Sequence, residues 1–226
     1  MTSGLKRNDF FLAGFVVFAL LATACLTTKK SENSSNSNST PTAHTSTVKT
    51  TTYQNSSTKF SGTLDEYDVD FSFDYPSSWE RDEKAGKGSS PNFVKVERKS
   101  DDEITLENFA VGYFTGQADL MPQLAEQLNK QLAGGFPQYK KVSEGPTRVG
   151  NYEGYEFRFT SHSTDTARGD LDIWGRTVLI PGNDDRRGAV LLMIATSASD
   201  QVKGVTDVGS KGELPIILNS FRFAKP

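Results

Sequence analysis

Between Asp68 and Tyr75 the chain alternates strictly, with Val69, Phe71, Phe73 and Tyr75 apolar and Asp68, Asp70, Ser72 and Asp74 polar. That is the period of a half-buried strand. Pro76 has no N–H to carry the ladder further, so the strand is expected to stop there. Shorter runs of the same kind predict strands at Asn92–Val96, Asn108–Phe114 and Tyr155–Phe159, and from Leu171 through Trp174 toward Ile180. The stretch AVLLMIATS from Ala189 is apolar in both registers, which predicts a central strand covered on both faces. Helices must supply at least one cover. Leu120, Leu124, Leu128 and Leu132 recur every fourth residue, with Asp119 placed as a cap, Pro122 in the first turn and Gly134-Gly135 at the end. This spacing predicts a helix. A second helix is expected near Glu213–Ser220, with Leu214, Ile217, Leu218 and Phe221 on one side. Ser210 and Glu213 have capping-box spacing, but a start there buries Pro215 too deep in the helix, so the helix begins later. Strands, a helix, more strands and a last helix predict an α+β fold, an antiparallel sheet flanked by helices.

The N-terminal pattern is different. Lys6 and Arg7 precede FFLAGFVVFALLATA, which contains no charge and no proline. A basic n-region followed by an apolar h-region marks an export signal. As a helix, Phe10–Ala24 spans about 22 Å against a hydrocarbon core of about 30 Å, too short for a comfortable permanent span. The run ends in Ala22-Thr23-Ala24, and Cys25, the only cysteine, follows at once. These residues resemble the lipobox of bacterial lipoproteins, whose cysteine sulfur receives a diacylglycerol and becomes the new N-terminus. The family prefers Leu three residues before the cysteine; here Ala22 holds that place and Leu21 lies one step further out. The competing reading is an ordinary secretory cut after Ala24. Leu26 stands where an inner-membrane retention aspartate would sit, so the resemblance implies the periplasmic side of an outer membrane in a host that has one.

From Leu26 to about Phe60, Ser, Thr and Asn dominate, and such a segment cannot build a core. It is expected to be a tether with an r.m.s. length of roughly 30 Å. The predicted organisation is a lipoprotein signal peptide at 1–24, the lipidated Cys25 and tether at 25–60, and a globular domain at 61–226.

Composition narrows the function. A net charge of −3 gives no broad basic field, so nucleic acid is not an expected partner. One cysteine forms no internal disulfide, so apolar burial must hold the domain together.

Candidate chemistry is sparse. Asn33, Asn38 and Asn55 begin N-x-[ST] triplets that reflect composition more simply than glycosylation. His44 reads as a solvated linker residue. Tyr75-Pro76-Ser77-Ser78-Trp79 reads as a turn whose Trp79 plugs one end of the core, with an aromatic binding ledge as the sharper alternative. The segment Gly182–Gly188 reads as a charged hairpin tip, Asp101-Asp102-Glu103 as a charged turn, and Gly86–Ser90 as a connector without phosphate-loop spacing. Asp165, Asp170 and Asp172 crowd one loop, but Ala167 and Arg176 occupy positions where a calcium loop needs ligands. His162, the domain's only histidine, lacks cysteine partners for zinc and a G-x-S-x-G elbow for hydrolysis. No catalytic residue, metal or cofactor is assigned, and enzyme activity is not expected.

FSFDYPSSW (Phe71–Trp79), GNYEGYEF from Gly150, the apolar strand at Ala189 and ILNSFRF before Ala224 together resemble the PsbP-like fold family, over about Tyr67–Phe223. That family includes an extrinsic subunit of photosystem II, a Ran-binding import factor and bacterial lipoproteins. The resemblance implies an α/β/α sandwich that binds or helps assemble other proteins, with no shared catalytic mechanism. The chain lacks the photosystem subunit's basic N-terminal docking segment and transit peptide, so a photosystem-associated role is a minor alternative. The expectation is a lipid-anchored envelope module that contacts a protein partner. The competing class is an envelope carrier of a small ligand or metal, or an undetected hydrolase, using the cavity between sheet and helices, which a deep pocket with converging polar groups near His162 would favour.

Overall fold

The computed structural model describes residues 48–56, 64, 68–87, 90–166, 169–182 and 187–224. Seven strands form one antiparallel sheet: β3 (Glu80–Arg81), β4 (Asn92–Lys99), β5 (Thr105–Thr115), β6 (Lys140–Val149), β7 (Tyr152–Thr166), β8 (Gly169–Pro181) and β9 (Arg187–Thr196). Their spatial order is β3-β4-β5-β9-β8-β7-β6. A second sheet has the order β1-β2-β10, built from β1 (Thr50–Gln54), β2 (Phe71–Pro76) and β10 (Arg222–Phe223). Among the described residues two α-helices accompany the sheets, α1 (Met121–Gly135) and α2 (Leu214–Ser220). The α+β class and its antiparallel sheet are as the sequence predicts.

β9 stands fourth of seven and is covered on both sides, as its two apolar registers require. Leu191, Met193 and Ala195 join a core with Phe71, Phe73 and Phe109, under α2 and the small sheet. Val190 faces the opposite core, where Ala125, Leu128 and Leu132 of α1 pack on Phe157, Phe159 and Leu179. The layers are therefore α1, the large sheet, and a mixed layer of α2 with three strands.

Gly175 shows how tightly the α1 side is built. It lies opposite Phe159 in the β7–β8 register, and a Cβ there would stand 2.1 Å from the Phe159 ring. The aromatic ring occupies the space that the glycine leaves open.

Three local expectations change. The tether was expected to continue to about Phe60, but Thr50–Gln54 pair in register with Pro76–Ser72. Ordered structure thus begins before residue 61. Asp119 does not cap α1: Leu120 is the N-cap residue, without a side-chain bond, after a 3-10 turn at Ala118–Leu120. β6 was not expected as a strand, because Lys140–Glu144 are all exposed and leave no burial period. The second helix starts at Leu214 with Pro215 in its first turn, where a missing N–H costs nothing, and Ser210 instead donates to the carbonyls of Thr206 and Asp207.

Candidate interaction cleft

β1 is held by its backbone ladder to β2, by the Thr51–Ser77 and Thr52–Asp74 side-chain bonds, and by a chain of contacts through Tyr53 and Asn55. Its half-buried Tyr53 places the ring 5.9 Å from Phe71 and 5.4 Å from Phe73. The phenol donates to Asn55 Oδ1 at 2.9 Å, and Asn55 Nδ2 donates to Asp68 Oδ1 at 3.0 Å and to the Val69 carbonyl at 2.8 Å. Burial pushes the Tyr53 phenol up to about 12, with Arg81 opposing and Asp68 adding to the rise. Burial also lifts the Asp68 carboxyl above its ordinary range, helped by Asp70 and opposed by the Asn55 bond among others.

Across from β1, the short β3 pairs only with Val96 and Glu97 of β4. The turn after it is shaped by Asp82, whose Oδ1 accepts from the Lys84 N–H at 2.8 Å. Gly86, at φ 78°, donates its N–H to the Asn92 carbonyl at 2.8 Å. Between the β1 edge and this turn lies an open cleft of about 410 Å³, to which Thr52, Tyr53 and Gln54 contribute on one side and Arg81, Glu83 and Lys87 on the other. The buried Phe93 and Val94 supply apolar wall. Arg81 Nη2 and Lys87 Nζ each lie 3.7 Å from the Glu83 carboxylate, so two exposed cations bracket one carboxylate. The cleft thus combines apolar wall, a strand edge, the two cations Arg81 and Lys87 and the two carboxylates Asp82 and Glu83.

The structure places the sequence candidates as follows. Cys25, His44, Asn33 and Asn38 lie outside the described residues. Asn55 is 2% exposed and fully engaged in the bonds above, a structural role that its triplet did not signal. Trp79 plugs the core as expected, and its Nε1 donates to Glu213 Oε2 at 2.7 Å. His162 sits at the surface on β7, with Nδ1 2.7 Å from Asp172 Oδ1 and Nε2 3.6 Å from Asp170 Oδ2. Its pKa is raised, chiefly by the hydrogen bond to Asp172. The side chain of Asp165 is outside the described residues, and among the described residues no three His, Cys, Asp or Glu side chains converge on a metal position. Asp101–Glu103 form a turn in which Glu103 N–H donates to the Ser100 carbonyl at 2.9 Å. Residues 88–89 of the Gly86–Ser90 connector are not described, nor are 183–186 of the hairpin tip, which Gly182 N–H closes on the Arg187 carbonyl at 2.8 Å. The cleft is not at His162: it adjoins β3 and β4, with β5 and β9 between them and the β7–β8 pair.

A buried ionic cluster escaped the sequence reading. Glu107 of β5 is 0% exposed. Its Oε1 takes a 2.7 Å bond from Arg98 Nη2, and Oε2 accepts the Glu213 N–H at 3.3 Å. Arg98 also reaches Ser199 Oγ at 3.2 Å. The cluster ties β4, β5, the loop after β9 and the start of α2 together. No neighbouring pattern marks Glu107, since a carboxylate in an alternating strand reads as solvent-facing.

No family model matches the chain, and no curated protein sequence matches it. Several solved structures are similar to the chain. LpqN of Mycobacterium tuberculosis, described as involved in cell envelope biogenesis, is 10% identical with a TM-score of 0.46, over 78% of this chain and 92% of LpqN. Cyanobacterial PsbP (CyanoP) from Synechocystis is 16% identical with a TM-score of 0.44, over 82% of this chain and 98% of its own. A protein of Bacteroides thetaiotaomicron is 14% identical with a TM-score of 0.38, over 69% of this chain but only 45% of that protein's length. A PsbP, from the family that the sequence motifs resemble, is thus among the solved structures to which the chain is similar.

Proposed function

We propose that this chain is a lipid-anchored protein of a bacterial cell envelope, cut before Cys25, whose folded domain binds another protein and performs no catalysis. The observation that carries the reading is the position of the only cysteine, directly after a basic start, an uncharged apolar run and Ala22-Thr23-Ala24. Two or more acyl chains, at about 0.8 kcal/mol per buried CH₂, hold such a terminus stably in a bilayer. Leu26 in place of a retention aspartate favours the periplasmic face of the outer membrane where the host has one.

Because β1 begins at Thr50, residues 26–49 separate the anchor from the first strand. These 24 residues reach at most about 80 Å when fully extended, enough for the domain to meet proteins near the membrane. The side-chain chemistry supports binding over catalysis. In a Ser-His-Asp arrangement the nitrogen opposite the orienting carboxylate must face a hydroxyl, whereas His162 Nε2 faces the second carboxylate of Asp170.

Metabolic labelling with an alkyne fatty acid tests the anchor: the wild-type chain takes the label and Cys25→Ser does not. A labelled Cys25→Ser protein refutes the anchor. Crosslinking in intact cells, followed by capture of the chain, should recover one defined protein that is lost when residues 48–224 are deleted. Recovery of background alone refutes the interaction role.

A further inference from the structure

Among the described residues β1 and β3 are both terminal strands, β1 at one end of the three-stranded sheet and β3 at one end of the seven-stranded sheet. Their edges meet at the cleft. The Lys49 carbonyl accepts from Ser77 N–H, and Asn55 N–H donates to the Phe71 carbonyl. With the β1–β2 register, this alternation turns the backbone of residues 49, 51, 53 and 55 toward β2. The N–H and C=O groups of Thr50, Thr52 and Gln54 therefore point away from it. Side chains of consecutive strand residues alternate between faces, so Thr52, Tyr53 and Gln54 line one cleft together only along their edge.

We propose that the outer edge of β1 receives an extended acidic segment of a partner protein as an added strand, and that Arg81 and Lys87 bind its carboxylate. This rests on the reading of the domain as a protein-binding module. Backbone pairing supplies affinity, and the two cations supply the preference for charge. Glu83 now stands between those cations at 3.7 Å from each, with side-chain exposures of 50% for Arg81, 70% for Lys87 and 75% for Glu83. Contacts so long and wet are weak, so a carboxylate held in place by a docked strand displaces Glu83 readily. Asp82, the other acidic residue of the lining, is turned to Lys95 Nζ at 3.9 Å and to the Lys84 N–H. A natural sheet edge is usually blunted by proline, lysine or a bulge. β6, the opposite edge of the large sheet, carries all three, with Lys140, Lys141, Pro146 and a register shift between Lys141 and Ser143. β1, reading Thr-Thr-Thr-Tyr-Gln, pairs with β2 without a register shift and carries none of them.

The test uses the full chain in detergent micelles and a fluorescent peptide, Thr-Val-Glu-Val-Glu-Val-Thr, against the same peptide with Lys in place of both Glu. Fluorescence anisotropy should show the acidic peptide binding about tenfold tighter or more, a difference of about 1.4 kcal/mol. Thr52→Pro removes an N–H that β2 does not use, at a position where an edge strand tolerates proline, and also the exposed bond that the Thr52 hydroxyl donates to Asp74 Oδ1 at 2.6 Å, whereas Thr52→Val loses only that bond. Thr52→Pro should bind about tenfold more weakly than Thr52→Val, with a thermal midpoint near that of Thr52→Val. The double variant Arg81→Glu/Lys87→Glu keeps the backbone edge and should reverse the preference toward the lysine peptide; it decides the matter if Thr52→Pro fails to fold. Equal affinity for both peptides, or an unchanged preference in the double variant, overturns the proposal. A partner still recovered by crosslinking in cells would then place the contact elsewhere on the domain and leave the proposed function standing.

Discussion

Asn55 is the residue on which the docking of β1 turns, and its replacement by alanine can be worked through from the contacts. Three side-chain hydrogen bonds disappear: Tyr53 OH to Oδ1 at 2.9 Å, and Nδ2 to Asp68 Oδ1 at 3.0 Å and to the Val69 carbonyl at 2.8 Å. At about 1 kcal/mol each, with a further cost for a buried group left unpaired, the loss is roughly 3–4 kcal/mol. With a urea slope of about 2 kcal/mol per molar, the unfolding midpoint falls by about 1.5–2 M. Tyr53→Phe removes only one of the three bonds and should cost about 1 kcal/mol. Because both variants delete that shared bond, the double variant should be less destabilised than the sum, by about 0.5–1 kcal/mol. The phenol adds a signature in pH. The unfolded Tyr53 ionises near its usual 10, whereas the folded phenol holds its proton to about 12. The raised value means that this contribution is whole below pH 10 and is lost as pH rises through about 12. Tyr53→Phe should remove that part of the alkaline slope. Urea titrations at neutral and alkaline pH read all of these quantities. An Asn55→Ala protein within about 0.5 kcal/mol of wild type, or strict additivity of the two variants, would refute the account of how β1 is held.

Two further predictions concern the rest of the domain. Arg98→Met keeps the stem but leaves the fully buried Glu107 without its 2.7 Å cation. It should cost roughly 3–5 kcal/mol in chemical denaturation, and Arg98→Met/Glu107→Leu should recover much of it, because an apolar pair removes the stranded charge; a double variant no better than the single one would contradict this. His162 should titrate above the usual 6.5 by NMR, held up first by its hydrogen bond to Asp172. Its contribution to stability is whole below pH 6.5 and is lost as pH rises through the raised value. Asp172→Asn should lower the midpoint, and an unchanged midpoint would show that the 2.7 Å contact does not govern the ring.

The order of elements, the class of the fold and the central place of β9 were legible in the sequence, because each depends on how side chains are buried and burial leaves a period. Leu128 and Leu132 of α1, Phe71 and Phe73 of β2, and Leu191 and Met193 of β9 are buried as their spacing requires. Trp79 as a plug followed from its place after Pro76. β1 and β6 were not legible. The first shows one half-buried residue among four exposed ones, and the first five residues of the second are all exposed. Such strands are held by backbone bonds to a neighbour, which any sequence can make and which leave no hydrophobic period. The same reason hid the cleft: it exists because the edges of two sheets are brought side by side, joining Thr52–Gln54 to Arg81–Lys87. Glu107 was hidden because its partner Arg98 stands opposite it on the neighbouring strand, while Ser199 and Glu213 come from distant parts of the chain. Only the packed structure brings together the charges that let a carboxylate lie in the core.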